Sequence, residues 1–189
     1  MRPFTDKEIL DKIRTLPSFT GWPTGIMEVG IRSKADQYDV FDDKIATYDC
    51  TSGTPVFVMI RKGTTNTGSY GLKHFNDYNP EGAAVLKSDE IVYDSHEVGK
   101  HKGRAAYRQM KSFPYYRDGN KNNRVEEIGP IRKGIIGANI HRAGTRSTVI
   151  KNWSTGCIVT ADEDQFLDWL DYCKSKGYPK VSLCILKEF

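Results

Sequence analysis

The residues best able to do chemistry lie in one stretch, HRAGTRSTVIKNWSTGCIVT, running from His141 to Thr160. It carries one imidazole and one thiol, His141 and Cys157, sixteen positions apart, with Gly156 directly before the cysteine. A free thiol has a pKa of about 8.5 and is only a few per cent thiolate at neutral pH. An imidazole within reach takes the proton and, once charged, stabilises the thiolate. Ser154, Thr155 and Gly156 lead into Cys157. Such a series of small hydroxyl residues and glycine suits a tight turn that presents a side chain. Consecutive N–H groups of a turn of this kind converge on an anion, as the oxyanion of acyl transfer requires. The pattern predicts a Cys157 nucleophile with His141 as its base, and the alternative is a surface imidazole beside an inert buried thiol. Papain-like enzymes place cysteine before histidine, and caspases place the histidine about 50 residues upstream, so this order and spacing fit neither.

Two neighbouring strands would have to position the pair. GIIGANIH (residues 134–141) reads as a buried strand delivering His141 at its end, and CIVT (residues 157–160) opens the next segment after a polar loop containing Gly144. Upstream, Thr5 and Glu8 form a capping box for a helix with an apolar stripe of Ile9, Leu10, Ile13 and Leu16. LPSFTGWPTG (residues 16–25) breaks it. Residues 1–25 are therefore expected to be an N-terminal helix and linker, either docking elsewhere or packed on the body, and residues 26–189 the main domain. IMEVGIRS, KIATYD and PVFVMIRKG read as strands separated by the loops KADQYDVFDD and KGTTNTGSYG. Residues 72–107 read as two strands with a short turn, and YYRDGNKNNRVEEIG as a polar turn. Near the end, TADE (residues 160–163) reads as a second capping box. Phe166, Trp169, Leu170 and Cys173 then share one helix face, Gly177 and Pro179 stop the helix, and KVSLCIL (residues 180–186) is a strand. The expected fold class is mainly β with α elements, ending in a helix and a strand.

The whole chain bounds the function. Its 189 residues, 38% hydrophobic and 28% charged, suit one domain that needs neither disulfides nor a metal to fold. A net charge of +4 with scattered basic residues, the modest cluster KHKGR (residues 100–104) among them, implies no nucleic-acid partner. It remains compatible with an anionic polymer such as a bacterial envelope. The start, MRPFTDKEILDK, lacks the apolar core of a signal peptide, and the longest apolar run, VFVMI (residues 56–60), is far short of the about 20 residues that span a bilayer. A chain made in the cytoplasm, without membrane insertion, is expected. Cys50, Cys157, Cys173 and Cys184 show no CxxC spacing and read as free thiols, with Cys173 and Cys184 in the core and Cys50 at a strand end.

Other motifs carry less. HEVGKH (residues 96–101) has the residue types of a zinc-protease helix, but its second histidine falls at i+5 and Gly99 interrupts any helix. His101 with Arg104 and Tyr107 is a candidate groove lining. DGNKNN (residues 118–123) alternates oxygen ligands as a calcium loop does, yet Asn123 stands at the sixth position and Gly129 at the twelfth, so a turn is the better reading. Gly63–Thr65 lacks the Gly-Lys-Ser/Thr of a phosphate loop. No metal or other cofactor is expected.

The His141–Cys157 segment resembles the signature of the L,D-transpeptidase catalytic domain, a β-rich fold of bacterial cell-wall enzymes. That signature is a strand-borne histidine, a loop, and then Ser/Thr-His-Gly-Cys with a hydrophobic residue. His141, Ser154, Gly156, Cys157 and Ile158 match it, and NIHR…NWSTGC is similar to divergent members from phages and bacterial genomes. The chain departs at Thr155 for the second histidine, at Val159 for an arginine, and at Arg142 for the small residue after the first histidine. The resemblance implies a β-sandwich or mixed sheets, and attack by Cys157 on a peptidoglycan stem peptide. His141 would be base and then acid, the N–H groups of Gly156 and Cys157 would hold the oxyanion, and an amine or water would take the acyl group. Ser154 would shape the turn, while Arg142, Asn139, Trp153 and Thr155 would meet substrate. A lytic or delivered enzyme, an endolysin or effector acting at the bacterial wall after release, is the implied setting. The alternatives are a non-catalytic wall-binding or virion structural module of the same fold, and a cysteine protease of unrelated substrate.

Overall fold

A computed structural model describes residues 1–35, 37–145 and 147–189; Asp36, in the KADQYDVFDD loop, and Arg146, in the loop between His141 and Cys157, lie outside the described residues. The chain runs α1 (Asp6–Arg14), β1 (Ile26–Arg32), β2 (Asp43–Asp49), β3 (Val56–Thr64), α2 (Ser69–Lys73), β4 (Ala83–Leu86), β5 (Glu90–His101), β6 (Arg104–Gln109), β7 (Phe113–Asp118), β8 (Arg132–Gly134), β9 (Ile140–Arg142), β10 (Ile158–Thr160), α3 (Glu163–Ser175) and β11 (Lys180–Lys187). The mainly β character with a C-terminal helix and strand is as the sequence predicts.

The sheet topology differs from two sheets laid face to face. Eight strands close into a barrel in the order β1-β11-β5-β6-β9-β10-β3-β2, and β4-β7-β8 form a separate three-stranded sheet. The barrel is mixed: β1 with β11 and β9 with β10 are parallel pairs, and the others are antiparallel. Closure is thinnest at β6–β9, where Tyr107 and Ile140 are the paired residues, and the chemistry-bearing segments lie beside this seam.

Two cores sit on opposite faces of β1 and β11, which is why both strands are buried almost throughout rather than on alternate residues. On one side Ile26, Val181, Leu183 and Ile185 pack with Phe166, Trp169, Leu170 and Cys173, the expected face of α3. On the other, Met27, Val29, Ile31 and Cys184 meet Ile9, Ile13 and Leu16. The N-terminal helix thus packs on the body, its capping box of Thr5 and Glu8 in place. Cys50, Cys173 and Cys184 are free and buried.

A buried polar network joins five elements, β1, β2, β3, β10 and α3. The Glu28 carboxylate ion-pairs with Arg61 and accepts from Thr47 Oγ1 at 2.6 Å and Trp169 Nε1 at 2.5 Å. The Arg61 guanidinium lies 4.5 Å over the Trp169 ring and donates to Thr160 Oγ1 of β10 at 3.2 Å. Burial pushes the Glu28 carboxyl up and Arg61 pulls it back. This network ties β10, next to the chemical site, to β1, β3 and α3.

Several elements depart from expectation for identifiable reasons. Thr160 does not cap α3; it belongs to β10, and Asp162 caps the helix by accepting from Gln165 N at 2.9 Å. Within GIIGANIH, Gly134 ends β8 and the chain is a strand again only from Ile140, because Gly137 adopts φ +75° and Asn139 N folds back to Gly137 O at 2.8 Å. Ile135 there is 60% exposed rather than buried. The turn read into YYRDGNKNNRVEEIG begins later, since Tyr115–Asp118 extend β7. α2 starts within the Gly/Thr-rich loop where no helix is expected, and β4 precedes the two long strands of the middle region. No helix is long and apolar enough to cross a membrane among the described residues.

Candidate active site

β9 and β10 are adjacent and parallel, with Ile140 opposite Ile158 and His141 opposite Val159. This register puts the imidazole beside the residue that precedes β10, Cys157. A ring nitrogen of His141, one of His101 and the Cys157 Sγ all lie within 4.8 Å of one another. The expected pair is therefore together, and a second imidazole from the end of β5 joins it.

The turn before Cys157 is held at both ends. Ser154 is fully buried, its Oγ donating to Cys157 O at 2.8 Å and accepting from Gly156 N at 3.2 Å. Its carbonyl accepts from Gly68 N at 2.9 Å and Thr67 Oγ1 at 3.3 Å. Gly156 has φ +124° and sits against Ala84, whose carbonyl oxygen would lie 3.1 Å from a Cβ, so both backbone and space require glycine. Ser154 thus shapes the turn as anticipated. The oxyanion expectation needs correction at one donor: Gly156 N–H is occupied by Ser154, while Cys157 N–H has no hydrogen bond among the described residues.

Tautomers follow from the hydrogen bonds. His141 Nδ1 lies 2.9 Å from Arg142 O, so the proton is on Nδ1 and the lone pair on Nε2. Among the described residues that Nε2 is buried without a partner, in a side chain only 6% exposed. Buried polar atoms are normally satisfied, so an orphaned lone pair beside a thiol asks for a chemical reason. For His101, Asn139 Oδ1 accepts from Gln109 N at 3.0 Å, which fixes the amide, and Asn139 Nδ2 then donates to His101 Nδ1 at 3.0 Å. The neutral His101 ring accordingly carries its proton on Nε2. The two rings stack, centroids 4.5 Å apart and planes within 17°.

This stacking argues against a metal at His101, His141 and Cys157 despite their proximity. Lone pairs lie in the ring planes, and two nearly parallel rings cannot aim both at one tetrahedral centre. A ligating histidine also donates its other N–H to an acceptor, as His141 does, whereas His101 Nδ1 is itself the acceptor.

The charge state is the main surprise. Burial pushes the Cys157 thiol up to about 11, against smaller opposing effects of the Asn139 backbone N–H and the Lys102 charge. Burial likewise pulls His141 down to about 4, its bond to Arg142 O opposing and the charges of Lys102 and Arg142 adding to the drop. The resting pair is neutral thiol and neutral imidazole, not the thiolate–imidazolium expected from proximity. Sγ–H points to Gly137 O at 3.5 Å, and Cys157 is 5% exposed.

A pocket of about 290 Å³ opens beside the pair, lined by His101, Lys102, Arg104, His141, Arg142 and Trp153 among others. His101 and Arg104 line the groove as proposed, but Tyr107 does not; its hydroxyl donates to Tyr178 O in the core. Arg142 reaches the pocket with its charge already matched, since Glu163 in the first turn of α3 pairs with it at 2.7 Å. It is not free to hold a substrate carboxylate. Asn139 is a buttress of His101 rather than a substrate contact. Trp153 both lines the pocket and packs with Phe41, Ile150 and Cys157. Thr155 faces away, into a second pocket of about 390 Å³ with Phe75, Tyr78, Ala84, Tyr115 and Ile136.

Sequence reasoning missed Gln109. Its amide accepts from Ile136 N at 2.9 Å and Ala138 N at 3.0 Å and donates to Gly134 O at 3.1 Å, pinning the irregular segment that lays Gly137 O on the sulfur. A lone glutamine in a strand gives no signal of this. The other motifs resolve as turns and core. His96 is buried between Ser95 Oγ at 2.8 Å and Ala138 O at 2.7 Å, and Asp118 accepts backbone N–H groups of Asn120 and Glu126.

Two buried neutral histidines set an acid limit on the fold. His96 and His141 are each pulled down to about 4, chiefly by burial, from an ordinary value of 6.5. Between those values the unfolded chain binds protons that the folded chain excludes, so stability is full above about pH 6.5 and falls as the pH drops towards 4. Each histidine is expected to cost about 3 kcal/mol by the bottom of that window. Urea unfolding at pH 7 and pH 4 reads the loss directly, and equal stability at both would contradict the burial of neutral rings.

No family model matches the chain, and neither does any curated protein or solved structure.

Proposed function

We propose that the protein is a cysteine-dependent acyl-transfer enzyme acting on peptidoglycan stem peptides, of L,D-transpeptidase-like type. The observation that carries the chemistry is the buried Nε2 lone pair of His141 beside the Cys157 thiol, unpartnered among the described residues, with Nδ1 tied to Arg142 O. The peptidoglycan substrate rests on the resemblance of the His141–Cys157 segment to the transpeptidase signature.

From a neutral pair, proton transfer accompanies attack. Sulfur bonds to the peptide carbonyl carbon while its proton passes to His141 Nε2. The imidazolium so formed lies against the neutral His101 ring, which favours a cation at its face. The Cys157 N–H receives the developing oxyanion. Collapse breaks the C–N bond, His141 returns the proton to the leaving amine, and a thioester remains. An amine of a second stem (transpeptidation) or water (hydrolysis) then attacks the thioester, passing its proton through His141 back to the sulfur.

Substrate access demands movement. Cys157 is nearly covered, with Gly137 O 3.5 Å from its sulfur on one side and Phe41, Ile150 and Trp153 packed with it on the other, and residues 134–139 around Gly137 hold to β6 through Gln109. Displacing residues 134–139 would remove the contact with Gly137 O and open the sulfur on that side.

The covered, un-ionised thiol is also the observation that favours the second reading, a non-catalytic wall-binding or virion module. Mass spectrometry of muropeptides incubated with the protein separates the two. Loss of a terminal residue, a new cross-link or a cleaved stem each identifies a reaction. Unchanged muropeptides, recovered with the protein bound to them, support the module. Delivery to the wall from the cytoplasm, as an endolysin or effector, belongs to the same proposal.

A further inference from the structure

We propose that the tip of the β5–β6 hairpin selects an anionic acyl donor, with Lys102 and Arg104 receiving a carboxylate of the molecule whose carbonyl is delivered to Cys157. This rests on the acyl-transfer reading above and adds the substrate's charge to it.

Among the described residues, the pocket beside His141 is lined by three cationic side chains and no carboxylate. One of the three, Arg142, is matched by Glu163. Lys102 and Arg104 have no ion pair among the described residues, so two uncompensated charges face one small cavity. Both sit in fixed backbone. Lys102 at φ +47° and Gly103 at φ +79° make a two-residue turn with both residues left-handed, and His101 pairs with Arg104 at the last rung. This is the turn type that matches the twist of a hairpin, so the charges are carried on a stiff arm. Lys102 is close enough to act on the chemistry: its charge bears on His101, His141 and Cys157 alike. Trp153 supplies an apolar part of the same lining.

A carboxylate is the anion that fits. The ligand must also carry an acyl carbon within reach of the sulfur, and about 290 Å³ admits a short peptide unit bearing both groups. A guanidinium and an ammonium together give a carboxylate charge-assisted hydrogen bonds that an amide of the same shape cannot match.

The test uses N-acetylalanine and its carboxamide, followed through the ring resonances of His101 and His141 in the whole protein. The carboxylate is expected to shift both rings saturably, the carboxamide at least about tenfold more weakly, and added salt to weaken the carboxylate alone. Lys102→Asn with Arg104→Gln is expected to abolish the difference between the two probes. Asn-Gly is the favoured pair for this turn, so the hairpin survives the change. Equal binding of the two probes, no binding of either, or a preference unaltered in the double variant would each overturn the inference. Because Cys157 does not line the pocket, Cys157→Ala should keep the preference. Carboxylate binding without any acyl transfer would therefore sink the enzymatic reading while leaving the anion pocket standing.

Discussion

Replacing Cys157 by alanine is expected to lower turnover of muropeptides by roughly 10³-fold or more, because no other group can form the thioester. His141→Ala should cost about 10² to 10⁴-fold, the usual share of a general acid–base. The pH profile gives the sharper signature. An ion pair would lose activity on an acidic limb as its thiolate protonates. Here the reactive form is neutral thiol with neutral imidazole, so activity should hold level across neutral pH and fall only as His141 takes a proton near pH 4. Stopped assays at short times, before acid unfolding, measure this. A bell centred near neutrality would show that the pair ionises before substrate arrives.

The second large effect is on stability. Arg61→Met leaves the Glu28 carboxylate fully buried without its cation, and breaking a buried pair from one side costs about 3–5 kcal/mol. For a chain of this size that is a fall in Tm of roughly 6–20 °C. Adding Glu28→Gln removes the stranded charge while keeping an oxygen for Trp169 Nε1 and Thr47 Oγ1, so the double variant should recover much of the loss. Thermal unfolding of the two variants beside the parent reads both numbers. A double variant no more stable than Arg61→Met would mean that packing of the guanidinium on Trp169, not charge, dominates the site.

What could be read from the sequence was local or periodic. The α3 face repeats at helical spacing, and the strand at 180–187 is apolar but for Ser182 between polar ends, so both emerge without tertiary knowledge. The nearness of His141 and Cys157 was legible because two strand segments with a loop between them tend to lie side by side. What decides the chemistry was not local. Arg142 is neutralised by Glu163, twenty-one residues on, and His101 reaches the stack from a hairpin forty positions upstream. The thiol's resting state depends on how completely other segments cover it, which no spacing encodes. Thr160 misled because a threonine ahead of two acidic residues offers the same capping oxygen as Asp162, and only the β10 register takes it away. The barrel closure likewise hangs on the single Tyr107–Ile140 pairing, too slight to leave a sequence pattern.

A covalent bond to one sulfur is the step on which the proposed chemistry turns. Incubating the protein with stem-peptide muropeptides, quenching in acid and weighing the intact chain should reveal a thioester adduct of acyl-peptide mass, located at Cys157 by digestion. It should be absent from Cys157→Ala and discharged by an added amine. Conversion of muropeptides with no adduct at residue 157, or an adduct placed on another cysteine, would contradict it.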